Sequence, residues 1–157
     1  MNDVAVVELD IENAMSFSVE KIREVIRDLE EKMRGMPQIE VPLTHYFSEG
    51  VYGREIRMAK GTFLVGKIHK FRAMNVLSQG EVTVLSIDGP MRFKAPHTFV
   101  SSPGAKRVIY AHEDAVWTNF HGTDETDVEK IEKHFIAENY DDIALIEEKP
   151  MIKTEET

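Results

Sequence analysis

Cysteine is absent from the 157 residues of this chain, which removes disulfides, thiolate-bound zinc and thiol nucleophiles together. The absence fits a reducing compartment, and a cytoplasmic protein is expected. Long apolar runs are also missing. No stretch approaches the roughly 20 residues that a membrane-spanning helix needs, and Val4–Val7 is too short for a signal-peptide core and follows an acidic residue, Asp3, with no basic one before it. Neither a membrane partner nor a secretory leader is expected. Basic residues are in deficit, 19 against 28 acidic, and the formal charge of −9 repels the backbone of duplex nucleic acid over most of the surface. A local basic pocket remains compatible with that balance.

What is present points to one domain, since 157 residues suffice for a single core but not for two ordinary ones. From Ser18 to about Arg34, Val19, Ile22, Ile26, Leu29 and Met33 recur at steps of three and four, predicting an amphipathic helix that Gly35 stops. Its charged opposite face, with Glu24 near Arg27 and Glu30 near Arg34, suits a helix lying on the rest of the molecule; a subunit-pairing helix is the alternative. After Pro37 and Pro42 the texture changes to short β-rich runs: Val51–Met58, Thr62–His69, Ala73–Ser78, Glu81–Ile87, Met91–Lys94, Thr98–Ser101, Lys106–Tyr110 and Ala115–His121. Turn residues such as Gln79-Gly80 and Asp88-Gly89-Pro90 separate them. Strands at such even spacing, with no helix between them, predict an antiparallel sandwich or barrel. A capping box, Thr126-Asp127-Val128-Glu129, starts a short helix over Thr126–Ala137. The division is therefore 1–48, a helical extension; 49–122, the β-barrel; and 123–157, a helix with a mobile acidic tail.

The run from Gly61 through Lys67 and His69 to Ala73 and Gly80 resembles the first cupin motif, G-x5-H-x-H-x3-E-x6-G, with both glycines and the second histidine in register. The run from Ala95 through Pro103-Gly104 to Arg107 resembles the second motif. The texture of Val51 to Glu132, in particular Gly66-Lys67-Ile68-His69-Lys70 and Asp114 to His121, is similar to small bacteriophage cupins. The resemblance implies a mostly β protein: a single cupin-type double-stranded jelly-roll barrel with an N-terminal helix and a short C-terminal helix. It also implies a homodimer or higher homo-oligomer and, for a phage protein, the host cytoplasm.

In metal-using cupins two histidines and a glutamate of the first motif and a histidine of the second hold one divalent ion. Here Lys67, Ala73 and Arg107 stand at three of those positions. Lysine and arginine offer no lone pair to a metal at neutral pH, so no cofactor is expected. The alternative is one divalent transition metal on His69, His121 and Glu55, a two-histidine, one-carboxylate set.

Strand alternation puts Val65, Lys67 and His69 on one face, and Trp117, Asn119 and His121 on one face of the last strand. The jelly-roll implies that these strands are neighbours, with Arg107 arriving from a third. Lys67, Arg107, His69 and His121 then have the chemistry to hold an anion, and Trp117 or Tyr52 can supply a stacking wall. The ligand class is a nucleotide, sugar phosphate or acidic metabolite, sequestered by the barrel. In the competing reading Lys67 and Arg107 lie along the barrel mouth or pair with Glu55, and Trp117 is core. Two further functions stay open: a cupin enzyme, either a metal-dependent oxygenase or hydrolase on His69 and His121 or a metal-free isomerase with His69 as general acid or base; and a structural or interaction protein. His45, His97, His112 and His134 read as surface or capping residues.

Overall fold

The computed structural model describes residues 17–143 and 152–156. The amino-terminal segment Met1–Val4 and much of the acidic tail lie outside the described residues, so the expectations for them are untouched. Among the described residues eleven strands form: β1 Leu43–Ser48, β2 Val51–Met58, β3 Phe63–Val65, β4 Ile68–His69, β5 Ala73–Gln79, β6 Glu81–Ser86, β7 Gly89–Lys94, β8 His97–Ser101, β9 Val108–Ala111, β10 Ala115–His121 and β11 Ile136–Ala137. Two α-helices among the described residues flank them, α1 Val19–Arg34 and α2 Val128–Phe135. A five-stranded sheet, β1-β2-β10-β5-β8, faces a four-stranded sheet, β3-β9-β6-β7, and the β4–β11 pair closes one end. Every ladder is antiparallel, and the architecture is the mostly β one expected.

Several boundaries move. The sheet begins before residue 49, because Leu43–Ser48 pairs with Val51–Met58 through a two-residue turn at Glu49-Gly50. The run Thr62–His69 is two strands rather than one. Gly66 donates its backbone N–H to Arg107 O at 2.9 Å and His69 donates to Ala105 O at 3.0 Å, and between them the alternation resets. Val65 packs against the α1 core and Leu64 against the barrel core, and both border the cavity that Lys67 and His69 line. α2 starts one residue later than the capping box predicts, with Asp127 accepting from the N–H groups of Glu129 and Lys130.

The turns explain the glycines of the two motifs. Gly80 has φ +88°, and a Cβ there would lie 2.5 Å from Asp114 O; Gly104 has φ +79°, and a Cβ would lie 2.6 Å from Ile143 Cδ1. Both have a backbone that favours glycine, and at Gly80 the neighbouring backbone also leaves no room for a side chain.

Two cores result. Ile22, Ile26 and Leu29 of α1 bury against Leu85 and Val108 on the outer face of the four-stranded sheet, each such side chain contributing about 1.5–3 kcal/mol. Ser18 caps the helix by accepting from Lys21 N. The helix therefore lies on the barrel, as its stripe predicts. The second core is the barrel interior, with Met58, Leu77, Val82, Val84, Ile109, Ala111, Ala115 and Trp117.

Candidate functional site: a cationic cavity inside the barrel

Opposed residues in an antiparallel ladder share a face, so register builds the site. Across β2 and β10 the inward pairs are Tyr52 with His121, Arg54 with Asn119 and Ile56 with Trp117. Across β10 and β5, Asn119 faces Asn75 and Trp117 faces Leu77. The other wall brings Leu64, Arg107 and Ile109, and β4 brings His69. A cavity of about 220 Å³ lies between these walls, lined by Arg54, Lys67, His69, Arg107, Trp117 and Asn119 and by apolar side chains including Val41, Ile56, Leu64 and Ile136.

Arg107 is the central feature. It is 6% exposed, its guanidinium lies 5.6 Å from the Trp117 ring centre and 5.9 Å from that of Phe99, and its buried Nη2 has no hydrogen-bond partner. Burial pushes its pKa down to about 10, against the opposite pull of Asp88, so it stays charged at neutral pH. The Trp117 indole is locked in place by donating to Asn75 Oδ1 at 3.1 Å, and Asn75 in turn donates to Ala73 O.

His69 and His121 stack, their ring centres 5.6 Å apart and their planes 12° from parallel. Burial first, then Arg107 and each other's neighbourhood, lowers His69 to about 3; burial, then Arg54, lowers His121 to about 4. Both imidazoles are neutral at pH 7, and the Nδ1 of each is buried without a partner. With Arg107 Nη2, Asn119 Oδ1 is a fourth such atom in this region.

Of the residues singled out from sequence, Lys67, His69, Arg107, Trp117 and Asn119 line the cavity. Lys67 does so from the rim, with its ammonium 3.2 Å from Glu132 of α2. His121 stands behind His69, against Phe135. Tyr52 is not a cavity wall: its hydroxyl shares a 2.7 Å hydrogen bond with His45 Nδ1, and its ring stacks on His121. Nor are β3 and β4 hydrogen-bonded neighbours of β10; they meet it across the barrel. Glu55 pairs opposite Thr118 on the outer face of the sheet and lies 2.8 Å from Arg57, so it cannot join His69 and His121.

Arg54 and Glu132 escaped the reading of the sequence. Arg54 interrupts an otherwise apolar and aromatic alternation of Tyr52, Ile56 and Met58, and that interruption was the available signal. Its guanidinium is 3.2 Å from Glu132 Oε1, 78 residues away in the chain, which no local pattern announces.

A jelly roll of this topology with a cavity between its sheets is a cupin fold. No family model matches the sequence and no curated protein is similar enough to match. Among solved structures, ectoine synthase from P. lautus is similar at 10% identity and a TM-score of 0.50, over 64% of this chain and 76% of its own. Salicylate 1,2-dioxygenase from Pseudaminobacter salicylatoxidans is similar at 11% identity and a TM-score of 0.51, over 74% of this chain and 35% of its own. A cupin superfamily protein from Desulfitobacterium hafniense aligns at 12% identity and 0.47. At such identities the likeness is one of fold.

The fold family suggests a divalent metal, but the donors do not fit one. The position of the motif glutamate is Ala73, Arg107 occupies the other histidine position as a cation, and among the described residues no group of three or more His, Asp or Glu converges.

Proposed function

We propose that this cupin barrel binds a small organic anion, held by the Arg107 guanidinium and neutral hydrogen-bonding groups of His69 and Asn119. The observation that carries this reading is a cavity lined by the buried Arg107, whose Nη2 has no hydrogen-bond partner. A buried charge without a counter-ion is strongly unfavourable, and a ligand carboxylate or phosphate would supply the missing partner through the planar fork of the guanidinium. At about 220 Å³ the cavity falls below the roughly 300–1,000 Å³ of sites for drug-sized ligands, which favours a compact acidic metabolite over a nucleotide. His69 acts as a neutral hydrogen-bond partner rather than a general base, since a conjugate acid at about 3 is far from the operating pH that base catalysis favours.

The test is thermal denaturation at pH 7.5 with millimolar benzoate, acetate and phosphate, on the wild type and on Arg107→Gln. Stabilisation of the wild type by at least one anion, lost in Arg107→Gln, supports the reading. An identical response in both proteins, or none in the wild type, refutes it.

A further inference from the structure

We infer that Glu132 is the charge selector of this cavity: by holding both Arg54 and Lys67 it leaves Arg107 as the uncommitted cation, so that the site takes a singly charged carboxylate and rejects phosphate monoesters. The inference rests on the anion reading above and goes further by naming the ligand's charge and the residue that sets it.

Glu132 Oε1 lies 3.2 Å from Arg54 Nη1, and both of its oxygens lie 3.2 Å from Lys67 Nζ. One carboxylate therefore serves two cations at the rim. It is held there by its helix, because Ile131 and Phe135 on either side of it in α2 are buried with Tyr52 and β11 continues the chain into a ladder with β4. Arg107 has no carboxylate within 4.0 Å among the described residues, and Asp88 acts on it from farther away.

Three cations line the cavity, Arg54, Lys67 and Arg107, and two carboxylates outside the lining act on them, Glu132 on Arg54 and Lys67 and Asp88 on Arg107. With neutral histidines the balance is plus one. A monoanion brings it to zero, and its carboxylate matches the Arg107 fork. A dianion leaves excess negative charge against apolar walls, within reach of the Glu132 carboxylate, and buried uncompensated charge is costly.

The experiment is isothermal titration at pH 7.5 with two probes that share one ring, benzoate and phenyl phosphate; the latter is close to doubly charged, with a second pKa near 6. The wild type is expected to bind benzoate at least about tenfold more tightly, a difference of about 1.4 kcal/mol. Glu132→Gln keeps the side chain's shape and one oxygen while releasing two cations, and should shift the ratio of dissociation constants toward phenyl phosphate by about tenfold or more. Lys67→Met, on a half-exposed side chain whose loss spares the fold, should shift the ratio the other way. A ratio that stays within about twofold in either folded variant, with benzoate still bound, overturns the role of Glu132 and leaves the anion site standing. No binding of either probe by the wild type overturns both.

Discussion

The two ends of the barrel interior are made by the same strands and follow opposite rules. Along β2 the inward residues run from Met58 and Ile56 to Arg54 and Tyr52; along β10, from Ala115 and Trp117 to Asn119 and His121; along β5, from Leu77 to Asn75. The first end is apolar and tightly buried, with Leu77 and Val82 at 0% exposure. The second carries the partnerless buried atoms of His69, Arg107, Asn119 and His121. One end supplies hydrophobic stabilisation; the other gives some of it up to bury polar groups without partners.

The largest expected effect lies at the apolar end. Leu77→Ala should lower stability by about 2–5 kcal/mol, read from urea unfolding midpoints, and a loss under about 1 kcal/mol would erase the contrast. The next effect belongs to the polar end. His69 and His121 have folded pKa values of about 3 and about 4, below the ordinary 6.5, so the unfolded chain binds protons that the folded one refuses. Stability is then unaffected by them above pH 6.5 and falls as pH drops from there toward 4, by up to about 1.4 kcal/mol per pH unit for each histidine. Urea unfolding at pH 7.0 and 5.0 should show a smaller drop in the double variant His69→Asn, His121→Asn than in the wild type; equal drops would mean that these rings are not buried neutral.

A smaller change, of opposite sign, is expected at Arg107. Replacing this unpaired buried cation by methionine should raise stability by about 1 kcal/mol while abolishing the anion response. Destabilisation by that substitution would place Arg107 with the structural end of the barrel. Smallest of all is Lys21→Ala on α1, which removes an exposed 3.1 Å pair with Glu24 and should change the midpoint by no more than about 0.5 kcal/mol.

Much of this was legible in the chain. β2 and β10 have the bounds that alternation predicts, α1 has its Ser18 cap and its Ile22, Ile26, Leu29 stripe, and five of the candidate ligand residues line one cavity. β1 was missed because Leu43–Ser48 alternates weakly at an edge, with His45 as its half-buried position. Tyr52 and Glu55 were misjudged for a different reason. Tyr52 has the inward orientation but a nearer partner in His45, and Glu55 is one residue out of phase with Arg54, which places it outside.

Composition, alternation and turn glycines by themselves determined the strand count to within a few, the antiparallel barrel and the helix that covers it. Those features are local, because a period of two and a positive φ are properties of neighbouring residues. Tertiary structure alone decided that Arg54 and Lys67 meet Glu132, that His69 stacks on His121 and that Arg107 is buried with its Nη2 unpartnered. Each of those depends on which strands are adjacent and which face each other across the barrel, and burial of charge is set by that long-range arrangement rather than by any segment of the chain.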